Sequence, residues 1–346
     1  MQKPTHLNPG DRVAIVSLSS GILGEEQFRH KYELAKCRLE KDYGLEVVPM
    51  QNALRGRIYL YRHPEARAAD LMEAFNDPSI KAVFCAVGGN DTVRLLPYID
   101  FETLHNHPKI FMGFSDTTVD HFMMNKAGLV SYYGPAVLTD WAEYGAINDY
   151  TREALDKTLF HPAAPLDIRC SSYCSYEHDR VAWDIKNAEQ ARPLFDNTGY
   201  ELIQGRGTVS GPLLGGCIDV FPMVIGTAAW PSLDEWRGKL MLLETSERNI
   251  SPEQLSELLR NLLAQGILHA VNGIVVGKPA YRDKYDAYKE IFKMVVGFEA
   301  DCPDLPILYN VNVGHAYPIG VFALGVPYEI NCDEVTLTLL EPATAD

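Results

Sequence analysis

The chain has 346 residues, 47% of them hydrophobic and 22% charged, which is enough for two moderate domains with substantial cores. Its 46 acidic side chains against 31 basic ones give a formal charge of −15, and such a surface excludes a nucleic-acid polymer as the main partner.

The longest apolar stretch, residues 213–230, is interrupted by Asp219 and Pro222, and the N-terminus has no signal-peptide pattern. The seven cysteines are scattered, which is typical of reduced thiols rather than of a disulfide framework or a zinc site. We therefore expect a cytoplasmic protein with no membrane partner and no metal.

The first half of the chain alternates short apolar runs with helical patterns. Strands are predicted at 12–17, 45–50, 81–87 and 109–114, and helices at 25–41, 64–76 and 117–126. Because this βαβ rhythm builds a parallel sheet with helices on both faces, we predict an N-terminal α/β domain over residues 1–165.

The periodicity fails after about residue 161, and we interpret residues 166–205 as an interdomain loop or flap. Further on, strands are predicted at 207–214, 240–243 and 270–276 and as a pair within 326–340, and a helix at 285–296. The clearest helix signal is an N-cap at Ser251, followed by Pro252 and by Gln254, which completes a capping box. Residues 206–346 are thus predicted to form a second α/β domain with antiparallel, barrel-like strands.

A serine lies on the predicted turn between a strand and a helix, in the sequence KIFMGFSDTT. Such a turn projects the Ser115 hydroxyl above the sheet edge, where N–H groups at the helix start can stabilise negative charge. Gly113 suits a sharp turn, whereas Thr117 stands where the G-x-S-x-G pattern has its second glycine. The pattern favours a nucleophile at Ser115, and the alternative is that Ser115 only caps the helix.

Two adjacent glycines, Gly88 and Gly89, follow the predicted strand at 81–87 and precede a helical pattern. Glycines at such a point let the backbone approach a ligand and present N–H groups to it. Neither GxGxxG nor GxxxxGK[ST] is present, so this is not a phosphate loop. We interpret the pair as an oxyanion donor, with an ordinary tight turn as the alternative.

A serine nucleophile needs a base, because its hydroxyl is barely ionised at neutral pH. Of the ten histidines, His315 has the best context, since it follows Gly314 at the end of an apolar strand; a structural histidine is the alternative. The base in turn needs a carboxylate to orient it. Glu244 ends the apolar run KLMLLE and is preferred to Glu247, although a strand-end carboxylate can also simply face water.

Seven segments, in this order, resemble the LD-carboxypeptidase family of serine peptidases, and most closely its branch with the microcin C immunity protein. They are NPGDRVAIVSLSS, AVGGNDTVRLLPYID, KIFMGFSDTT, YYGPAV, GTVSGPLLGGCIDVF, KLMLLETSE and VNVGHAYP. The resemblance implies that Ser115 is the nucleophile, His315 the base and Glu244 its partner. It also implies an oxyanion hole from the backbone N–H groups of Gly89 and Asp116, no metal or organic cofactor, and a homodimer.

The resemblance further implies a small substrate, either a murein peptide with a terminal D-amino acid or an amide joining an aminoacyl group to a nucleotide-like moiety. The segments VGGND and LETSE favour the immunity branch. In that branch an aromatic side chain of the interdomain loop stacks on the nucleobase, so Trp183 becomes a substrate-binding candidate together with Gly88. The alternative role of Trp183 is that of a packing anchor. Lys278 and Arg248 are candidates for binding a substrate carboxylate, with surface roles as the alternative.

Two further classes remain open. A non-catalytic α/β ligand-binding protein would use the same cleft without covalent chemistry. An ordinary α/β-hydrolase esterase is disfavoured by the missing second glycine after Ser115 and by the spread of serine, glutamate and histidine over two domains. We predict a serine-type carboxypeptidase or amide hydrolase that cleaves a small peptide-like or aminoacyl-nucleotide amide.

Overall fold

The computed structural model describes residues 1–345, which form two main sheets. The N-terminal sheet has six strands, in the spatial order Phe322–Leu324, Ser131–Tyr133, Ile110–Gly113, Ile80–Cys85, Arg12–Val16 and Glu46–Pro49. The five strands from the first half of the chain pair in parallel, as the alternating pattern predicts.

The sixth strand of this sheet was not predicted. Phe322–Leu324 pairs antiparallel with Ser131–Tyr133 at the edge of the N-terminal sheet. Three residues are too few to show an alternation of apolar and polar side chains, so nothing in the sequence marks this strand. The C-terminal part of the chain therefore contributes to the first sheet, and the division at residues 165 and 205 stays a prediction.

The C-terminal sheet has eight strands, and four of its seven pairings are antiparallel. Their spatial order is Leu166–Asp167, Thr336–Leu339, Pro327–Asn331, Thr208–Cys217, Leu240–Glu244, Gly273–Gly277, Ile307–Val311 and Glu201–Gln204. The mixed α/β class with a mostly antiparallel second sheet is thus confirmed. Because its four central strands are parallel, their carboxyl ends meet at one edge, which brings Cys217, Glu244 and the loop after Val311 together.

The α-helices agree with the sequence pattern in most places, and the capping box at Ser251 and Gln254 is present. The α-helices are Arg29–Tyr43, Arg57–Arg62, Pro64–Asn76, Phe101–Asn106, Thr118–Lys126, Asp149–Leu155, Phe221–Val224, Leu233–Trp236, Pro252–Ala264 and Tyr285–Phe292. The predicted helix at 285–296 is α-helical only to Phe292 and continues as a π-helical segment to Glu299. Within residues 1–345, none of the helices combines the length and apolar content needed to cross a membrane.

The helix Thr118–Lys126 connects the two halves of the molecule through an aromatic cluster. Its buried Phe122 packs edge-to-face against Phe221, Trp230 and Trp236, at ring-centroid distances of 5.6, 5.2 and 6.2 Å. Such pairs add stabilisation beyond the area they bury. The packing fixes the helix that follows Ser115 relative to the C-terminal part of the chain.

The predicted flap, residues 166–205, is tied to the C-terminal sheet and to the loop that contains Tyr317. Its ends supply the two edge strands of the C-terminal sheet, and its middle contains a small sheet of Tyr173–Cys174 with Phe195–Asp196. Backbone hydrogen bonds join Ser175 and Tyr317 in both directions, at 2.7 and 3.1 Å. The flap therefore lies against the loop that contains His315.

Candidate active site

Ser115 has a strained backbone at the turn after the strand Ile110–Gly113. Its φ is +68°, in the left-handed region that costs a residue other than glycine about 1–3 kcal/mol. A Cβ on Gly113 would come within 2.8 Å of Cys85 Cβ and 3.0 Å of the Thr117 side chain, so glycine is required there. No side chain caps the short helical segment Ser115–Thr117, and the Ser115 hydroxyl does not serve as a cap.

Three side chains from distant parts of the chain form one hydrogen-bonded line. His315 Nε2 lies 3.1 Å from Ser115 Oγ, and His315 Nδ1 lies 2.8 Å from Glu244 Oε2. Glu244 is buried at the end of the strand Leu240–Glu244. A Cβ on Gly314 would approach Glu244 Oε2 to 2.4 Å, so the glycine before His315 makes this contact possible.

A fourth side chain, the buried Tyr133, joins this line, and the sequence analysis did not identify it. Its hydroxyl donates to Glu244 Oε1 at 2.5 Å and accepts the Ser115 backbone N–H at 3.1 Å. Burial and the negative charge of Glu244 raise the pKa of Tyr133 well above its usual range, so the phenol keeps its proton. Tyr133 ends a strand inside the quoted segment YYGPAV, and that position is the signal that could have indicated a role.

Glu247, the competitor of Glu244 in the sequence analysis, also contacts the imidazole. Its Oε2 lies 3.0 Å from His315 Nε2, the same nitrogen that faces Ser115 Oγ. Burial alone would lower the pKa of His315, but the charges and hydrogen bonds of Glu244 and Glu247 outweigh it and raise that pKa to about 10. The hydrogen bond from His315 in turn lowers the pKa of Glu247 to about 2. In this arrangement the imidazole is protonated at neutral pH.

The glycine pair lies directly beside Ser115. A Cβ on Gly88 would come within 2.6 Å of Ser115 Cβ, and one on Gly89 within 2.2 Å of Ser19 Oγ, so neither position has room for a side chain. Among residues 1–345, the backbone N–H groups of Gly89 and Asp116 have no hydrogen-bond acceptor. Two free N–H donors next to a serine hydroxyl are what a developing oxyanion requires.

The Asp116 side chain connects the turn at Ser115 (the serine turn) to the segment at Gly88 and Gly89 (the glycine turn). Its Oδ2 accepts hydrogen bonds from Ser19 Oγ at 2.5 Å, from the backbone N–H groups of Asp91 and Thr92 at 2.9 Å each, and from Thr92 Oγ1 at 2.7 Å. Asp116 is fully buried, so these bonds are shielded from water. The carboxylate therefore holds the backbone N–H groups of Gly89 and Asp116 at a fixed spacing.

Two family models match most of the chain: the LD-carboxypeptidase N-terminal domain over residues 13–134 and the LD-carboxypeptidase C-terminal domain over residues 210–330. The chain belongs to the LD-carboxypeptidase family. It is accordingly a peptidase, and the family predicted from the seven sequence segments is confirmed.

The relatives of this LD-carboxypeptidase family member include carboxypeptidases and MccF-like proteins. This chain is 29% identical to the "Probable murein peptide carboxypeptidase" of Bacillus subtilis, over 97% of this chain and 94% of that protein. It is 24% identical to the microcin C7 self-immunity protein MccF of Escherichia coli, over 83% and 82% of the two chains. The crystal structure of an MccF-like protein from Streptococcus pneumoniae in complex with AMP superposes with a TM-score of 0.88 at 35% identity, covering 95% of this chain and 98% of that one.

Trp183 lies in the flap of this family member and already has close neighbours. Its ring packs edge-to-face on Phe28 at 5.7 Å, and Lys31 Nζ lies 4.5 Å from its centroid. Arg180 Cζ lies 5.4 Å from the same centroid. Lys31 Nζ is buried without a hydrogen-bond acceptor among residues 1–345, and burial lowers its pKa to about 7. Trp183 thus has a packing role in this conformation, and a stacking role stays a prediction.

The two candidates for a substrate carboxylate lie in different places. Lys278 is buried, and its Nζ donates to Asn197 Oδ1 at 2.7 Å, beneath the flap. Burial lowers the pKa of Lys278. Arg248 instead lines an open groove together with Gly89 and Glu247. Of the two, Arg248 is the one that faces the space next to the glycine turn.

One group of potential metal-ligand side chains lies within residues 1–345: Cys217, Glu244 and His315, whose donor atoms are within 4.8 Å of one another. The Glu244 and His315 atoms already hydrogen-bond to each other. Burial and the negative charge of Glu244 raise the pKa of the Cys217 thiol well above its usual range, which keeps it protonated and a poor ligand. The group is better suited to proton transfer than to metal binding.

Proposed function

We propose that this protein is a serine amide hydrolase in which Ser115 is the nucleophile, His315 the base and Glu244 the carboxylate that orients the base. The observation that supports this most directly is the pair of contacts of one imidazole, 3.1 Å to Ser115 Oγ and 2.8 Å to Glu244 Oε2. Each distance is within hydrogen-bond reach, and the order of groups is that of a serine catalytic triad.

In the proposed first step, His315 Nε2 takes the proton of Ser115 Oγ while the oxygen attacks the amide carbonyl carbon. The carbonyl electrons move to its oxygen, which accepts hydrogen bonds from the Gly89 and Asp116 N–H groups. The C–N bond then breaks, and the imidazolium returns the proton to the leaving amine. Water, deprotonated by the same imidazole, hydrolyses the acyl ester and regenerates Ser115.

The base form of His315 requires Glu247 to leave Nε2. With both carboxylates in place the pKa of His315 is about 10, so at pH 7 the imidazole cannot accept the serine proton. Glu247 lies on the turn after the strand Leu240–Glu244, and its side chain is 52% exposed, so it is free to rotate away. We infer that substrate entry displaces Glu247 from the imidazole.

Two substrate classes are supported by the relatives. An aminoacyl-nucleotide amide, as for an immunity protein against microcin C, is supported by the AMP-bound neighbour at 35% identity. A murein peptide ending in a D-amino acid is the alternative, supported by the Bacillus subtilis relative. In the first class Trp183 would stack on the base and Gly88 would lie against the bound acyl group. A dimeric state and a cytoplasmic location stay predictions.

The test uses the full chain, an L,D-tetrapeptide and an aminoacyl sulfamoyl adenosine, with products measured by mass spectrometry. Ser115→Ala should abolish the release of product from whichever compound the wild type cleaves, a loss of about 10⁶ in turnover. Ser210→Ala, which changes an exposed serine elsewhere, should keep full activity. Near-normal turnover by Ser115→Ala would contradict the assignment.

A serine-directed phosphonate separates the proposal from the other two classes. The proposal predicts one covalent adduct, on the peptide that contains Ser115. A non-catalytic ligand-binding protein would form no adduct and release no product from either amide. An ordinary esterase would form the adduct but cleave esters far faster than matched amides.

A further inference from the structure

A groove of about 660 Å³ opens beside the proposed oxyanion donor Gly89 and continues away from the triad. One wall is the helix Arg57–Arg62, which contributes Arg57, Ile58, Tyr61 and Arg62. Glu247 and Arg248 line the groove at the end near the triad. A substrate held at Ser115 would therefore extend along this helix.

Three guanidinium groups face the groove without partners. Within residues 1–345, the side chains of Arg57, Arg62 and Arg248 form no hydrogen bond and no ion pair. The acidic groups of the groove are already engaged. Asp91 pairs with Arg67 and Arg94 at 2.8 and 2.9 Å, and Glu247 contacts His315 at 3.0 Å.

This local excess of positive charge occurs in a chain of formal charge −15. Solvated basic side chains are ordinary on a surface, but three unpaired guanidiniums around one concave space concentrate positive potential within it. A guanidinium binds a carboxylate or phosphate through two parallel N–H bonds, so the groove is suited to an oxyanion.

The helix Arg57–Arg62, which bears two of these three arginines, is held in place. The Arg57 backbone N–H donates to Glu25 Oε1 at 2.7 Å, and the Tyr61 carbonyl accepts from Arg94 Nη1 at 2.7 Å. A Cβ on Gly21 would come within 2.7 Å of the Gly56 carbonyl oxygen, so the two backbones are in close contact just before the helix. The helix is therefore fixed in position, and the guanidinium groups of Arg57 and Arg62 extend from it.

Apolar side chains accompany the charges on this wall. Ile58 is 70% exposed and Tyr61 is 66% exposed, and both face the groove between the arginines. Large exposed apolar side chains next to a concave surface are typical of a binding site. The combination fits a ligand with an apolar stem and a negative charge at its end.

We infer that this groove is a subsite for an oxyanion of the substrate that lies at a distance from the scissile amide, with Arg57 and Arg62 as the residues that select for it. The inference rests on the proposed function, because it needs a substrate attached to the Ser115 site. The oxyanion is a carboxylate if the substrate is an acidic peptide and a phosphate if it is a nucleotide.

The experiment compares matched ligands with and without the remote charge. In the peptide arm, kcat/KM is measured for a tetrapeptide containing a glutamate side chain and for the same peptide with that carboxylate amidated. In the nucleotide arm, Kd is measured by calorimetry for AMP and for adenosine. The wild type should prefer the charged member of at least one pair by about 10-fold or more, the effect of one hydrogen-bonded charge.

The double variant Arg57→Ala/Arg62→Ala should reduce that preference to about threefold or less. Arg55→Ala is the control for loss of positive charge nearby, since Arg55 lies over the Tyr59 ring, outside the groove. It removes one unit of charge, and the double variant removes two. Arg55→Ala should keep the wild-type preference. Both groove arginines are exposed and make no side-chain bonds, so the double variant should fold, which a melting curve checks.

The outcomes distinguish the groove inference from the proposed function. If the double variant has a reduced preference in the peptide arm, the oxyanion that the groove binds is a carboxylate, and if the reduction is in the nucleotide arm, it is a phosphate. The inference is overturned if the wild type shows no preference in either arm, if the double variant keeps the wild-type preference, or if Arg55→Ala reduces the preference as much as the double variant. If the wild type cleaves neither a peptide nor an aminoacyl sulfamoyl adenosine, the proposed function fails, while the binding arm still tests the groove.

Discussion

The Tyr133 hydroxyl donates a 2.5 Å hydrogen bond to Glu244 Oε1, on the carboxylate whose other oxygen faces His315. The same hydroxyl accepts the backbone N–H of Ser115 at 3.1 Å. One buried phenol therefore links the carboxylate end of the proposed triad to the backbone of its nucleophile. Tyr133 is a positioning residue, since it acts through Glu244 and Ser115 rather than on a substrate.

Removing this hydroxyl should slow the reaction. In Tyr133→Phe we expect kcat to fall by about 10- to 100-fold with little change in KM, because a hydrogen bond to a charged group is worth about 1.5–3 kcal/mol. With one donor fewer, Glu244 holds the protonated imidazole more strongly, so the pKa of His315 rises and the acid limb of kcat/KM moves to higher pH. Steady-state kinetics between pH 6 and pH 11 on the confirmed substrate measure both effects, since the acid limb lies near the pKa of His315, about 10.

The matched control for this prediction is Tyr132→Phe. Tyr132 is equally buried, but its hydroxyl donates to the Ala343 carbonyl, away from Glu244. This variant should lose stability without moving the pH profile. Equal losses of kcat in the two variants, with unchanged profiles, would show that Tyr133 only packs.

The sequence allowed prediction of those features that depend on neighbours in the chain. A serine after a short apolar strand, with Gly113 two residues earlier, predicts the turn at Ser115, and the capping box at Ser251 predicts a helix start. The five parallel strands of the first sheet follow from the alternation of apolar runs and helical patterns. In each case the determining interaction lies within a few residues.

Features that depend on distant contacts were not predictable in the same way. Tyr133 and Glu244 are 111 residues apart, and their contact exists only because two sheet edges meet. The strand Phe322–Leu324 is too short for a periodic signal, and the six-residue helix Arg57–Arg62 buries only Leu60, so it has no apolar stripe to detect. The second contact of the imidazole, with Glu247, likewise depends on tertiary structure.

A second pair of variants tests the role of Asp116. Its Oδ2 accepts four hydrogen bonds that join the serine turn to the glycine turn, whereas neither oxygen of the nearby Asp120 has a hydrogen-bond partner among residues 1–345. Burial and the charge of Asp116 raise the pKa of Asp120 well above its usual range, which favours the protonated acid.

We expect Asp116→Asn to lower the free energy of unfolding by about 2–3 kcal/mol, because a neutral amide oxygen accepts the four hydrogen bonds more weakly than a carboxylate, and the amide NH2 group takes the place of Oδ1, which has no hydrogen-bond partner among residues 1–345. Its kcat should also fall, since both oxyanion donors lie on the segments that Asp116 connects. Asp120→Asn changes a side chain whose oxygens have no hydrogen-bond partner among residues 1–345, so it should change stability by about 1 kcal/mol or less. Urea unfolding and kinetics on both variants provide the comparison, and similar losses in the two would contradict this account.

Trp183 distinguishes the two substrate classes. If its ring stacks on a nucleobase, Trp183→Ala should weaken AMP binding by about 10-fold and Trp183→Phe by much less, because stacking requires only an aromatic face. If Trp183 only packs against Phe28 and Lys31, Trp183→Ala should lower the melting temperature and leave the Kd for AMP unchanged. Calorimetry and thermal melting on the same samples separate the two results.

The last prediction concerns the protonation of His315. The groups that face its imidazole are Glu244, Glu247, the Ser115 hydroxyl and the Cys217 thiol, with the Phe114 ring edge-on at 5.0 Å. The two carboxylates raise the pKa of the imidazole to about 10, so the base form, and with it the rate, should increase with pH across the neutral range. Removing one of the two charges should restore the base form at lower pH.

Glu247→Gln removes the charge next to Nε2 and leaves the orienting contact between Nδ1 and Glu244 in place. The pKa of His315 should therefore fall, moving the acid limb of kcat/KM to lower pH by about one unit or more and raising the rate at pH 7. Glu257→Gln, an exposed site on the helix Pro252–Ala264, makes the same change in net charge and should leave the profile where it is. If Glu247→Gln instead raised KM with an unmoved acid limb, Glu247 would be a substrate-binding residue rather than a competitor for the catalytic nitrogen.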